Sequence, residues 1–381
     1  MKRYLQELIQ KDSDDKVILL SGARQTGKTT LSKALFEHYT YFNYDLSADR
    51  EAIFKKYWPR EADCIIFDEL HKMGEWKRWI KGIYDTEGNR PRLIVTGSAN
   101  METFTKVGDS LAGRYFQFRL HPIDIKEAIA FGEEKDPAVI AKKILRLSGF
   151  PEPFLKDQDV FYRRWRRTHL DVILRQDFID LSAIRSIKSI EILIDLLATR
   201  IASPLSYVNL AQDLQVDPKT VKAWIQLLEN FYVLFKVTPY HHNIARSILK
   251  EPKFYFFDLP RVQDDGARIE NLVACALLKE IHYIEDTQGL NARLHYLRTR
   301  NQHEIDFLIV VDDKPVFCCE VKTSDSSPSK HFDFFKKNLN LNHGYQLVFN
   351  CEREFDTPNG VHVRDLAHFL ATFSLMDYLS K

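Results

Sequence analysis

Apolar residues recur along this chain in two rhythms, and the switching between them outlines the fold. Val17-Ile18-Leu19-Leu20, Cys64-Ile65-Ile66-Phe67 and Leu93-Ile94-Val95 are short continuous apolar runs, the pattern of strands buried on both faces. Leu31, Ala34 and Leu35 instead recur at helical spacing, as do Trp76, Trp79 and Ile83. Residues 1–10 predict a short helix with Leu5, Leu8 and Ile9 on one face. Tyr41 to Leu46 reads as an aromatic-rich strand, and Arg114 to Leu120 as a partly alternating fifth strand. Strands separated by helical segments predict a parallel sheet.

The pattern changes near Phe131–Pro137, a charged stretch with two breakers, where a module boundary is expected. Helical spacing then dominates to about residue 230. Tyr207–Leu214 forms one short helix, and Asp217-Pro218 opens another with an acid at the cap and proline at the first position. Val221, Trp224, Ile225 and Leu228 make its buried face, leaving Lys219, Lys222 and Gln226 outward. With the strand-like Tyr232–Val237 behind them, the two helices suggest a winged helix-turn-helix. Strands and helices mix again in the last third, which includes the Ser-rich loop 324–329. The expected domains are therefore residues 1–130, 131–250 and 251–381.

Chemistry concentrates where the first apolar run ends. Gly22-Ala23-Arg24-Gln25-Thr26-Gly27-Lys28-Thr29 matches G-x-x-x-x-G-K-[ST] between a predicted strand and a predicted helix. Glycines let such a loop curl until its N–H groups point at phosphate oxygens. Together with Thr30, these residues form the candidate nucleotide-binding set. Lys28 is placed to reach the β- and γ-phosphates, and the Thr29 hydroxyl to ligate Mg²⁺. The second run ends in Asp68-Glu69, at the strand tip where ligands of open α/β sheets bind. Asp68 is the expected Mg²⁺ partner, and Glu69 the group that polarises the attacking water.

A second constellation lies near the C-terminus. Glu304-Ile305-Asp306-Phe307 begins one predicted strand, and Val316 to Lys322 forms another. Glu320 and Lys322 are two apart and share a face. Asp306 joins them if the connecting hairpin has an odd loop or a bulge, and lies on the other face otherwise. Two acids and a lysine on one face can bind Mg²⁺ and orient water for phosphodiester attack. Glu270, at the start of an apolar helix, is a further candidate ligand beside Asp306 and Glu320.

Composition narrows the setting. In 381 residues, 54 Lys and Arg nearly balance 53 Asp and Glu, for a formal charge of +1. Global attraction to nucleic acid is therefore excluded, and any such binding must come from local clusters. Five cysteines without paired C-x-x-C spacing argue against a disulfide framework. Histidines show no ligand spacing, so no zinc is assigned. No apolar run approaches the roughly 20 residues of a membrane span, so the expected location is cytoplasmic with no membrane partner.

Together these residues resemble the prokaryotic AAA-type P-loop ATPases that carry a C-terminal PD-(D/E)XK nuclease-like domain of unknown role. The resemblance rests on Gly22–Thr29, Phe67-Asp68-Glu69-Leu70-His71, Thr96-Gly97-Ser98 and Leu111-Ala112-Gly113-Arg114-Tyr115. In the last third it rests on Glu270-Asn271-Leu272-Val273-Ala274, Glu304-Ile305-Asp306-Phe307 and Glu320-Val321-Lys322. It implies an α/β architecture: an AAA-type parallel sheet, a central helical and winged-helix region, and a C-terminal α/β nuclease-like domain. It further implies that the Thr96 strand lies between the phosphate-loop and Asp68 strands. Ser98 is then a sensor beside the γ-phosphate, and Arg114 an arginine finger or sensor, in cis or from a neighbouring subunit.

The first functional reading is thus an Mg²⁺-dependent ATPase whose nucleotide state is coupled to a DNA-associated nuclease-like module. Its candidate partners are ATP and ADP, DNA, and a protein or second copy of the chain. An ATP-holding interaction module with an inactive nuclease-like domain is the alternative. A small-molecule P-loop kinase fits less well, because Glu69 promotes the water attack that a kinase must exclude.

Overall fold

The structure is a computed structural model and describes residues 2–98, 111–174, 187–241, 251–299, 301, 303–341 and 343–379. The chain divides into two compact units, Met1–Pro122 with Asn230–Tyr232, and Ile123–Glu229 with Val233–Lys381.

Among the described residues of the first unit, five strands form one sheet: β1 (Val17–Ser21), β2 (Tyr39–Asn43), β3 (Cys64–Asp68), β4 (Arg92–Gly97) and β5 (Tyr115–Arg119). All pairings are parallel, in the order β2-β3-β4-β1-β5. The Thr96 strand β4 therefore lies between the phosphate-loop and Asp68 strands, as the resemblance implied. β1 and β3 are buried along their whole length, which is why their sequences are continuous apolar runs and do not alternate. Helix Trp76–Glu87 lays Trp76, Ile80 and Ile83 on one face of the sheet, in a cluster with Leu19, Phe67 and Val95. Trp58 and Trp79 meet the Phe67 ring edge-on, at 5.5 and 5.3 Å between centroids. Side chains of this size contribute about 1.5–3 kcal/mol each when fully buried.

The second unit opens with helices. Asp136 caps Pro137–Leu147 by accepting from the Ala138 N–H, and Asp217 accepts from the Lys219 N–H ahead of helix Pro218–Asn230. The acid–proline pairs of the sequence work in both places as helix starts. The remaining strands are β6 (Leu234–Pro239), β7 (Lys253–Phe256), β8 (Ala292–Arg298), β9 (Glu304–Val311), β10 (Lys314–Lys322), β11 (Gly344–Val348), β12 (Phe355–Asp356) and β13 (Val361–Asp365). They form a sheet ordered β12-β13-β11-β10-β9-β8-β6-β7. β6 and β7, the strands behind the two short helices, are the terminal antiparallel pair of this sheet, and β6 is joined to β8.

β8, β9 and β10 run as an antiparallel meander, after which helix His331–Leu339 carries the chain to β11, parallel to β10. Helix Asp265–Gln288 precedes the meander. Its fully buried Asn271 donates to the Phe256 carbonyl and accepts from the Phe256 N–H, both at 2.8 Å. β7 is an edge strand, and this amide satisfies backbone groups that the sheet leaves unpaired.

Candidate functional site

The phosphate loop takes its shape from backbone positions closed to most residues. Gly22 has φ +144°, and a Cβ there would stand 2.3 Å from the Leu120 carbonyl oxygen. Gly27 and Gln25 are also left-handed, at 94° and 64°. Buried Arg3 braces the loop by donating to the Thr26 carbonyl at 2.7 Å and the His121 carbonyl at 2.6 Å. Lys28 folds onto the loop, donating to the Gly22 and Ala23 carbonyls at 2.9 and 2.8 Å. Reaching a phosphate means exchanging those two bonds to neutral carbonyls for a bond to an anion.

Thr29, at the start of helix Lys28–Lys33, meets the tip of β3. Its hydroxyl donates to Asp68 Oδ2 at 2.8 Å. Tyr41 of β2 donates to the same oxygen at 2.7 Å, and Thr96 of β4 donates to Oδ1. Asp68 and Thr96 are register partners, so the parallel pairing itself brings them together. Hydroxyl and carboxylate oxygens are the hard donors Mg²⁺ prefers, so Thr29 and Asp68 fit such an ion beside a bound nucleotide.

Glu69 follows in a left-handed turn, φ 57°, with its N–H bonded to the Thr96 carbonyl. Ser98 donates to its Oε2 at 3.3 Å, while His71 Nε2 and Lys72 Nζ each lie 3.7 Å from that atom. Burial pushes the His71 pKa below its ordinary value, against the raising effect of Glu69. Lys72 also binds Asp45 at 2.8 Å. Glu69, Asp68, Ser98, Thr29 and Lys28 therefore gather at the carboxyl end of one parallel sheet.

Arg114 does not join them. It precedes β5, whose first residue pairs with Val17 at the opposite end of β1 from the phosphate loop. Four residue steps of strand make that separation on the order of 13 Å. Its guanidinium grips Asp85 on the surface, with Nε at 2.6 Å. Where action in cis was expected, Arg114 stands at the edge of the sheet opposite the phosphate loop, to which a parallel sheet sends all its strand starts.

The second constellation assembles through a bulge. Asp312 and Asp313 make a two-residue turn with positive φ, an even loop that alone would part Asp306 from Glu320. A register shift between Pro315 and Phe317 corrects this, so that Cys319 pairs with Phe307 and Glu320 falls beside Asp306. Asp306 Oδ2 accepts from the Val321 N–H at 2.8 Å, and Lys322 donates to Glu320 Oε1 at 2.8 Å.

An unforeseen residue occupies the middle. Lys253 of β7, 1% exposed, lies 2.8 Å from Glu304, 3.4 Å from Glu270 and 3.7 Å from Asp306. Tyr255, two residues on and so on the same face, donates to Glu270 Oε1 at 2.6 Å. Burial and the neighbouring Asp306 push the Glu270 carboxyl up to about 8 and that of Glu320 to about 7. Burial favours the neutral form of Lys253, but Glu270, Asp306 and Glu304 outweigh it and raise its pKa. Among the described residues no three His, Cys, Asp or Glu side chains are grouped to hold a metal ion. Glu270, expected as a ligand with Asp306 and Glu320, is held by Lys253 and Tyr255 instead.

Sequence reasoning missed Arg3, Tyr41 and Lys253. Lys253 did leave a signal, a single charge in the otherwise aromatic Lys253-Phe254-Tyr255-Phe256-Phe257. Only the fold shows what it faces.

"Uncharacterized protein Rv2008c" of Mycobacterium tuberculosis is 24% identical over 376 residues, 96% of this chain and 83% of its own length. "Uncharacterized protein MJ1544" of Methanocaldococcus jannaschii is 22% identical over 365 residues, 86% of this chain and 80% of its own. RuvB of Thermotoga maritima overlaps 61% of this chain and 86% of its own, at 14% identity and a TM-score of 0.30, too low to bear on the fold. Residues 141–259 and 265–368 match two domains of unknown function, DUF8612 and DUF4143. Residues 14–129, with the phosphate loop, Asp68 and Glu69, match the family model of an AAA domain.

Proposed function

We propose that the chain binds Mg²⁺-ATP at the phosphate loop and hydrolyses it. One observation carries the reading: the Thr29 hydroxyl and Asp68 carboxylate meet at 2.8 Å, with Glu69 and Ser98 joined beside them. Loop N–H groups and Lys28 bind the β- and γ-phosphates, while Thr29 and Asp68 hold Mg²⁺, which supplies positive charge against the developing phosphate charge. Glu69 orients and deprotonates water, and Ser98 sets the Glu69 carboxylate. Arg114 enters only from a neighbouring copy, after leaving Asp85. The nucleotide-bound unit acts on the remainder of the chain, read as a helical region to about residue 250 and a nuclease-like module beyond it, with DNA or a protein as partner.

The test is nucleotide binding by Lys28→Ala. The Lys28 ammonium is spent on two loop carbonyls, so the variant is expected to fold and to lose most ATP affinity by calorimetry. Wild-type affinity in a folded variant would remove the phosphate-loop assignment.

A second reading concerns the C-terminal module, because the β10 bulge sets Asp306, Glu320 and Lys322 on one face. That arrangement supports a nuclease-like fold around β8–β11. Plasmid nicking with Mn²⁺ that disappears in Asp306→Ala would establish cleavage.

A further inference from the structure

The carboxylates of the C-terminal module already surround a cation that belongs to the chain. An ammonium has three N–H donors, and Lys253 Nζ has three carboxylates about it, Glu304, Glu270 and Asp306. The Tyr296 ring centroid lies 5.3 Å from the same nitrogen. Lys253 cannot be read as a surface side chain that happens to swing inward. Its strand is held on one side by β6, where it pairs with Val237, and fixed on the other by Asn271. Phe254 and Phe256, alternating with it, are fully buried. A buried ammonium is costly unless paired and hydrogen-bonded, and here the pairing is supplied.

The acids are correspondingly committed. Glu270 Oε1 receives Tyr255 at 2.6 Å while facing Lys253, and Asp306 Oδ2 receives the Val321 N–H. Glu320 Oε1 is taken by Lys322. Its Oε2 is buried without a hydrogen-bond partner.

We propose that the Lys253 ammonium is the resident cation of this cluster, standing where a divalent metal would be bound and keeping Glu270 out of any metal coordination. The inference concerns the C-terminal module and is independent of the nucleotide reading. It refines the nuclease-like reading: the module keeps its carboxylate geometry without metal, and a metal that enters must displace Lys253, so removing that residue tightens metal binding.

The test reads metal binding and stability, not cleavage, so it stands or falls separately from nicking. Mn²⁺ binding to the nucleotide-free full chain is followed by electron paramagnetic resonance, and thermal unfolding is recorded in EDTA and in Mn²⁺. Wild type is expected to unfold at the same temperature in both. Lys253→Met is expected to unfold earlier in EDTA, to recover with Mn²⁺, and to bind Mn²⁺ roughly 10- to 100-fold more tightly, the range over which groups around metal ligands shift affinity. Adding Glu304→Gln to Lys253→Met should abolish the gain. Should Lys253→Met fail to fold, Glu270→Gln in the wild-type background decides: unchanged Mn²⁺ binding supports the proposal. Loss of Mn²⁺ binding in Glu270→Gln, or a folded Lys253→Met with no gain in Mn²⁺ affinity, would overturn it.

Discussion

The tip of β3 and the β9–β10 face both present acids on a strand of an α/β sheet, yet the two sets of acids are satisfied by opposite chemistry. Asp68 receives hydroxyls from Thr29, Tyr41 and Thr96, neutral donors that satisfy its lone pairs and leave its negative charge in place. Asp306, Glu304, Glu270 and Glu320 face Lys253 and Lys322, whose ammonium groups cancel charge as well as donating. A carboxylate held by hydroxyls remains an attractive ligand for Mg²⁺. One held by a buried lysine is already neutralised, and a metal must first displace that partner. Counting acids at a site is therefore a weak guide to metal binding; the charge of what holds them decides.

The comparison is sharpened most by Glu69→Gln. The substitution keeps the shape of the side chain and its contact with Ser98 but removes the charge that orients water. Hydrolysis should fall by on the order of 10²–10⁴-fold with ATP affinity near wild type, as single-turnover and binding measurements would show. Turnover at the wild-type rate would mean that β3 does not carry the chemistry.

A pH titration of stability probes the other cluster. Glu270 and Glu320 are raised from 4.5 to about 8 and about 7, so the folded chain binds their protons more tightly than the unfolded chain does. Stability from these groups is full below pH 4.5 and is lost as pH rises through the window up to about 8. Glu270→Gln removes one of the two protons at issue. Urea unfolding between pH 5 and 8.5 should therefore show a shallower loss in the variant than in wild type. Parallel curves would place Glu270 outside the coupled cluster.

The smallest effect belongs to Tyr41→Phe, which removes one of the three hydroxyls on Asp68 and leaves Thr29 on the same oxygen. Loss of one hydrogen bond to a charged group is worth about 1.5–3 kcal/mol, and the remaining donors offset part of it. Steady-state kinetics should show a drop of about tenfold or less, carried by the Mg²⁺ dependence. A loss as deep as that of Glu69→Gln would make Tyr41 part of the catalytic machinery.

Much of the first unit was legible because its determinants are local. A loop that needs left-handed backbone at Gly22 and Gly27 writes those glycines into the chain, and a strand buried on both faces writes an apolar run. Gly22–Thr29 and Asp68-Glu69 could be read for that reason, whereas the place of β4 between β1 and β3 was implied only by the family resemblance. Within the second unit, the Asp217-Pro218 helix start was equally local. Whether Asp306 meets Glu320 was not local: it turned on a bulge at Pro315–Phe317 that moves every later residue of β10 by one register step.

Tertiary structure alone decided the remaining roles, since they depend on residues far apart in the chain. Arg3 reaches Thr26 and His121 because the N-terminal segment packs beside the phosphate loop. Arg114 stands apart from the phosphate loop because parallel strands put their starts at the far edge. Lys253 becomes the counter-ion of Glu270, Glu304 and Asp306 only once β7, the long helix and β9 lie together. The sequence by itself determined which side chains carry charge and which strands are buried. Folding decided which charges meet, because electrostatic partnership is set by distance in space and burial, neither of which is encoded by nearness in the chain.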